Sequence, residues 1–433
     1  MSAPTLRFYF DFSCPYAYVA STRIEALAER AGARLDPRPI LLGGVFRAHA
    51  TPQNLSETLS PAKARHNLAD MHRQAARAGV PLNFPSGHPI RTVEALRSLL
   101  VVGEPFMPLA HAFYRAYWVD GIDLSRREGV AEVLRNAGHD ADAVLSKIDD
   151  PAIKDELRER TDEAIAAGVF GVPTCVVETG SDGASPAGLK GAEPELFWGV
   201  DRLEMVERLL RQQGQPFVPQ TPTLQIEPPE LPRARRPVDV YFDYSSPFAY
   251  LGCFMAERLL GDDARWHPML LGAVFKQVGT PDVPMFAQSE AKRRHTAKDL
   301  QRQASAAGAP FSFPSRFPMR TVLPLRATLA VRAHESRKGR RLVHALFRAL
   351  WAEDRDISDP AEVERIADTC GFDGAELVAR ANQQQVKDAL FESTRAAVEA
   401  GVFGAPTFIV HTDAGPELFW GADRLELALA AAC

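Results

Sequence analysis

Two short segments of the sequence place a thiol or a hydroxyl directly before a proline. They are DFSCPY, with Cys14 before Pro15, and DYSSPF, with Ser246 before Pro247. Proline is well suited to the first position of a helix, where its missing N–H would find no partner anyway. Cys14 and Ser246 are therefore expected at helix N-caps. Unpaired N–H groups and the helix dipole put partial positive charge there. A thiolate held at such a point is stabilised and its pKa falls. The thiol can be the protein's own, as at Cys14, or a ligand's, held by a hydroxyl such as that of Ser246. Both residues can equally be plain caps. A dithiol enzyme would need a second cysteine two residues after the proline, but Ala17 and Ala249 stand there. The cysteines are Cys14, Cys175, Cys253, Cys370 and Cys433, with no CxxC pair, which fits free thiols in a reducing cytoplasm.

Other segments carry polar chemistry and occur twice. Pro173 and Pro406 lie in GVFGVPT and GVFGAPT, preceded by Val172 and Ala405. The tetrapeptide DRLE covers Asp201, Arg202 and Glu204, and again Asp423, Arg424 and Glu426; an acid followed three residues later by glutamate is also a helix-start signature. Lys63, His66, Asp70 and Arg73 share a spacing with Lys292, His295, Asp299 and Arg302. At such spacing, Asp and Arg are expected to pair on a helix surface. Arg91 and Arg320 follow a proline turn. A guanidinium there can grip a substrate carboxylate with two hydrogen bonds, or lie on a helix surface.

The elements that must position these residues repeat as a whole. FYFDFSCPYAYVAS (8–21) returns as VYFDYSSPFAYLGC (240–253), LLGGVF (41–46) as LLGAVF (270–275), and HPIRTVEALR (88–97) as FPMRTVLPLR (317–326). The order is kept to the end of the chain, which makes this a domain duplication rather than a solenoid. We read residues 1–214 as the first domain, 215–237 as a proline-rich, extended linker, and 238–433 as the second domain. Within a copy, Leu6–Phe12 alternates like a strand. A helix from Pro15 follows, with Ala17, Ala20, Ile24 and Leu27 at helical spacing. Then come a strand near Leu35–Leu42, several helices between Ser56 and Gly168, a strand at Thr174–Glu178, a short strand at Leu196–Trp198, and a helix from Asp201. The fold class is α/β: strand, helix, strand, a large helical insertion, then a strand pair and a closing helix.

This arrangement, with its helix-start motif and its -V/A-P-T loop, resembles DsbA-type thioredoxin folds. It resembles above all the family of 2-hydroxychromene-2-carboxylate isomerases and kappa-class glutathione transferases. The resemblance covers both copies nearly end to end. It implies that Pro173 and Pro406 are cis and face the helix N-cap, and that glutathione is the cofactor. It assigns Ser246 the role of donating to the glutathione sulfur, with Cys14 replacing that serine in the first copy. Val172 and Ala405 are implied to pair through their backbones with the cysteinyl part of glutathione. Asp201, Arg202, Asp423 and Arg424 are implied near its γ-glutamyl group, and Lys63 and Lys292 at a carboxylate. Family members often carry Ser or Gln before the aspartate; here Val200 and Ala422 stand there. In such isomerases a thiolate adds to a conjugated acid, the adduct rotates, and the thiol is expelled.

The formal net charge is −5 with no basic block, which argues against nucleic acid as a partner. No apolar run reaches membrane-spanning length, no secretory signal precedes the first strand, and no metal is called for. Three functions follow. The first is a glutathione-dependent isomerase or transferase acting on an aromatic or conjugated acid. The second is a thiol–disulfide protein using Cys14. The third is a non-catalytic thioredoxin-like scaffold. Phe46, Phe275, Trp198 and Trp420 are expected mainly in core packing. The two copies are expected to pair within the chain as a pseudo-dimer, with further oligomers open.

Overall fold

The computed structural model describes residues 3–178, 194–212, 236–280, 283–333 and 336–433. The proline-rich linker lies almost entirely outside the described residues. The chain divides into two compact units. The first comprises Met1–Thr58, Asn67–Val218 and Ser289–His295; the second comprises Leu59–His66, Pro219–Gln288 and Thr296–Cys433.

In the first unit, β1 (Thr5–Phe10) feeds α1 (Pro15–Arg30), which crosses over to β2 (Arg34–Pro39). A helical block follows: α2 (Leu42–Ala48), α3 (Pro61–Arg77, of which residues from Asn67 belong to this unit), α4 (Val93–Val102), α5 (Phe106–Trp118), α6 (Arg127–Asn136), α7 (Ala141–Lys147) and α8 (Pro151–Ala166). β3 (Thr174–Glu178), β4 (Glu195–Trp198) and α9 (Leu203–Arg211) close the unit. The sheet order is β2-β1-β3-β4, with β1 parallel to β2 and antiparallel to β3. Phe10 of β1 and Phe12 beyond it are fully buried against Tyr114 and Phe113 of α5, and the buried Phe8 stacks on Phe10. Apolar burial of this kind is the main force that fastens the helical block to the sheet.

The expected strand to Leu42 ends earlier. Pro37 and Pro39 complete β2, and Leu42 instead opens α2. The first strand likewise stops at Phe10, because Asp11 turns the chain into the helix start.

The second unit repeats the plan. β5 (Val238–Phe242), α10 (Pro247–Leu259), β6 (Ala264–Pro268) and α11 (Leu271–Val278) lead to α12 (Glu290–Ala307, in this unit from Thr296). Then come α13 (Val322–Ala330), α14 (Arg337–Trp351), α15 (Pro360–Thr369), α16 (Gly374–Ala381) and α17 (Gln384–Glu399). β7 (Thr407–Thr412), β8 (Gly415–Trp420) and α18 (Leu425–Ala432) finish it, with sheet order β6-β5-β7-β8.

One substitution between the copies has a pH consequence. His88 packs among Phe84, Tyr117 and Trp118, and its Nδ1 lies 2.9 Å from the Tyr117 hydroxyl. Burial lowers its pKa from 6.5 to about 4. The repeat puts Phe317 at this place in the second copy. The unfolded chain protonates near pH 6.5 and the folded one only near 4, so stability is lost as pH falls through that window. The loss should reach about 2–3 kcal/mol. Urea unfolding at pH 7 and pH 4.5 should show it, and His88→Phe should remove most of the difference. An equal pH slope in both proteins would refute the assignment.

Candidate functional site

The two helix starts are built alike. Asp11 and Asp243 are buried, each between its strand and the helix proline. Asp243 Oδ1 accepts from Ser245 N at 2.9 Å and Thr321 Oγ1 at 2.6 Å, while Oδ2 accepts from Leu271 N at 2.7 Å. Asp11 accepts from Ser13 N, Thr92 Oγ1 and Leu42 N in the same pattern. One carboxylate thus ties three segments together: the helix-start loop, the start of α2 or α11, and the R-T-V turn. Burial raises the pKa of both carboxyls against these hydrogen bonds. Neither aspartate was singled out from the sequence. The signal was present, since the aspartate and its threonine both recur in the repeat.

Pro173 and Pro406 are cis, as expected, and each loop meets its own helix cap. Ser246 Oγ donates to Ala405 O at 3.0 Å and accepts from Ala249 N at 3.1 Å. It is therefore a true cap and also faces the cis-proline loop. Cys14 has the same backbone conformation but makes no side-chain cap; its Sγ contacts Val172 O at 3.2 Å. Val172 and Ala405 are buried, and their N–H groups make no hydrogen bond among the described residues. An extended backbone laid beside either loop would find that donor waiting. The glycine before each is needed for close approach. A Cβ at Gly171 would stand 2.9 Å from Trp198 Nε1, and Gly404 is as tightly set against Trp420.

The expected acidic thiol is not what the structure shows. Burial pushes the Cys14 thiol up to about 12, the Asp11 charge adds to this, and the backbone hydrogen bonds of the helix start offset only part of it. Cys14 should therefore stay protonated at neutral pH. Its alkylation should be slow at pH 7 and should rise steeply only above the ordinary thiol range. Given its partial exposure, it should still react before Cys175, which lies buried in β3 as expected. Mass spectrometry of timed alkylation at several pH values reads both effects. A Cys14 rate that levels off below pH 7 would restore the acidic thiol.

The lysine–histidine pattern is placed differently from its reading in sequence. Lys63 and His66 belong to the second unit, where Lys63 Nζ lies 5.1 Å from the centre of the Trp420 ring. There Trp420 N donates to His66 Nε2 at 3.1 Å, and Phe403 packs against both rings. In the first unit Lys292 Nζ lies 5.0 Å from the centre of Trp198, Trp198 N donates to His295 Nε2 at 3.2 Å, and Phe170 takes the place of Phe403. So the lysine counted with one repeat by sequence stands with the other repeat's terminal strand pair. Burial lowers the Lys63 ammonium pKa. Trp198 and Trp420 form these aromatic–cation clusters rather than plain core.

Asp70 and Asp299 are not on the helix surface where their spacing puts them. Asp70 is buried and accepts from Tyr16 Oη at 3.0 Å; Asp299 is buried and accepts from Gln303 Nε2 at 2.6 Å. A carboxylate taken out of water needs such donors.

In the DRLE segments, α9 and α18 begin one residue after the aspartate's neighbouring arginine, and that arginine, not the aspartate, stands at the cap position, where its side chain does not cap the helix. Asp201 instead pairs with Arg202 at 3.0 Å and Asp423 with Arg424 at 3.3 Å. Gly199 and Gly421, at φ 113° and 110°, turn the chain so that these aspartates fold back over the glycine Cα. Val200 and Ala422 point into the core and offer no hydrogen bond.

Arg91 is exposed and pairs loosely with Glu94 at 3.7 Å; it lines an open cleft of about 930 Å³ together with Phe46. Arg320 is exposed at the matching place in the second copy. No helix among the described residues is long and apolar enough to cross a membrane.

The chain is similar to 2-hydroxychromene-2-carboxylate isomerase of Sphingobium xenophagum, 29% identical over 206 residues, which is 48% of this chain and 97% of that protein. It is similar to glutathione S-transferase kappa 1 of Rattus norvegicus, 26% identical over 205 residues, covering 45% of this chain and 89% of the relative. Among solved structures, a 2-hydroxychromene-2-carboxylate isomerase matches with a TM-score of 0.38 and 26% identity, over 48% of this chain and 97% of the other. The DSBA-like thioredoxin domain model matches twice, over residues 5–211 and 237–431, and with two such matches spanning most of its length the chain belongs to that family.

Proposed function

We propose that the protein is a glutathione-dependent isomerase or transferase acting on an aromatic or conjugated carboxylic acid, with the second copy as the working site. The observation that carries this reading is Ser246. Its hydroxyl sits at a helix N-cap, 3.0 Å from the carbonyl before a cis-proline, where it can turn to a bound sulfur. When bound, glutathione would supply a thiol able to add to a conjugated double bond and leave again.

The residues fit it in part. Ala405 offers a buried N–H to an extended backbone, and Ser246 offers a donor to a thiolate. Lys63, rather than Lys292, shares the unit of Ser246 and offers a cation to a carboxylate. Asp423 and Arg424 offer an acid and a guanidinium. Pro173, Val172, Asp201, Arg202 and Lys292 make the matching set around Cys14 in the first unit. Arg91 and Arg320 are proposed to grip the acid substrate. The raised Cys14 pKa and the absence of a second cysteine in the motif argue against thiol–disulfide exchange.

Calorimetric titration with glutathione tests the reading on the wild type, Cys14→Ala and Ser246→Ala. Loss of one hydrogen bond to a charged sulfur should weaken binding about 10-fold or more in Ser246→Ala. Cys14→Ala should bind as well as wild type. No binding by any of the three proteins would leave the scaffold reading in its place.

We propose too that the copies pair within the chain, since a tether raises their effective concentration. Solution scattering that requires two independently tumbling lobes would contradict this.

A further inference from the structure

The open cleft of the first unit is lined by cations from separate segments. Arg47 ends α2, Arg91 lies in the turn before α4, Arg97 lies on α4, and Lys154 and Arg158 lie on α8. Against these five, the lining holds two acids, Asp11 and Asp162. Asp11 is already committed to the helix-start loop. From outside the lining, Glu94, Asp149 and Asp155 neutralise part of the charge through Arg91, Arg97 with Lys154, and Arg158. Arg47 is exposed and pairs with no carboxylate among the described residues. The Nε of Arg97 is buried without a hydrogen-bond partner among the described residues. A buried N–H donor in that state is costly unless something accepts from it.

The duplication supplies an internal comparison. Arg47, Arg91, Arg97 and Lys154 correspond to Lys276, Arg320, Arg326 and Lys387, so positive charge stands at all four places in both copies. The Nε of Arg326 is likewise buried and unpaired among the described residues. The duplicated chain thus keeps both the charge at these four places and the buried nitrogen. The fifth position differs: Arg158 corresponds to Phe391, a phenylalanine that is 67% exposed.

We propose that the cleft between α2, α4 and α8 is a binding site for an organic dianion, a small dicarboxylate whose apolar body lies against Phe46, and that Arg158 sets its preference for two charges over one. Four cations and an aromatic wall suit an acid with one carboxylate and a flat body. The added guanidinium of Arg158 supplies two more donors in a fork that matches a second carboxylate. In the second copy, Phe391 replaces that fork with apolar surface, which favours a monoacid.

The test uses the full chain without glutathione, so that its failure leaves the glutathione reading untouched. Phthalate, benzoate and inorganic phosphate are titrated by calorimetry into wild type, Arg158→Phe and Phe391→Arg. Both positions are exposed, so folding should be undisturbed, and a thermal melt checks this. Wild type should bind phthalate saturably, and Arg158→Phe should weaken it about 10-fold while benzoate moves less than about 3-fold. Phe391→Arg should strengthen phthalate binding by adding a second site. Phthalate binding should also fall with salt. The proposal is overturned by an absence of saturable phthalate binding, by equal losses of phthalate and benzoate in Arg158→Phe, or by phosphate binding as tightly as phthalate.

Discussion

Ser246→Ala is expected to lower turnover of a conjugated acid with glutathione by about 10²-fold, the scale seen when one donor to a developing negative charge is removed. Cys14→Ser should keep activity or raise it. The reason lies in the two helix starts, which share a backbone conformation and a buried aspartate but carry a hydroxyl at one cap and a thiol at the other. Ser246 offers an O–H that can donate to a thiolate and carries no competing sulfur. Its present partner, Ala405 O, is a neutral acceptor at 3.0 Å, so exchange for a charged one is favourable. Cys14 brings its own sulfur to the same place, half-buried and held protonated. A thiol is a weak donor, and a larger atom leaves less room beside Val172 O. Steady-state kinetics on the two variants and on the double variant decide this. If Cys14→Ala abolishes turnover and Ser246→Ala leaves it intact, the roles are reversed and chemistry centred on the first copy takes their place.

Asp243→Ala should be the most destabilising single change near the second site, at about 3–5 kcal/mol. It removes the acceptor for three donors at once: Ser245 N, Thr321 Oγ1 and Leu271 N. Each buried donor left unpaired costs about 1–3 kcal/mol, partly relieved by water entering the gap. Thr321→Val removes one donor and leaves the carboxylate two partners, so about 1 kcal/mol is expected. Chemical denaturation separates the two variants. Asp243→Ala should also loosen the loop bearing Ser246, visible as faster amide exchange at Ser245 and Ser246. A loss under 1 kcal/mol with unchanged exchange would mean that the aspartate does not hold the loop.

The parts of the site legible in the sequence are those written in adjacent residues. A proline after Cys14 or Ser246 announces a helix start through its missing N–H and fixed φ. A glycine two residues before a proline announces the loop at Pro173 and Pro406. Their recurrence across the duplication removes the ambiguity of short motifs, because two copies seldom preserve the same accident in the same order. The strand at Thr174–Glu178 was legible for the same reason, being a run of apolar residues that starts at a proline.

Burial and long-range company were not legible, and they reversed three readings. Asp70 has surface spacing on its helix, yet the helix turns it inward to Tyr16. Cys14 sits where helix geometry lowers a thiol pKa, but desolvation depends on everything packed around it and outweighs the helix start. Lys63 belongs by sequence to the first repeat, and only the fold sets it beside Trp420. The chain order of residues determined the duplication, the α/β plan and the two helix caps, since each rests on local backbone preference and periodicity. The tertiary structure alone decided which cations share a cleft, which carboxylates are buried and which lysine stands by which tryptophan, because those depend on contacts between residues tens or hundreds of positions apart.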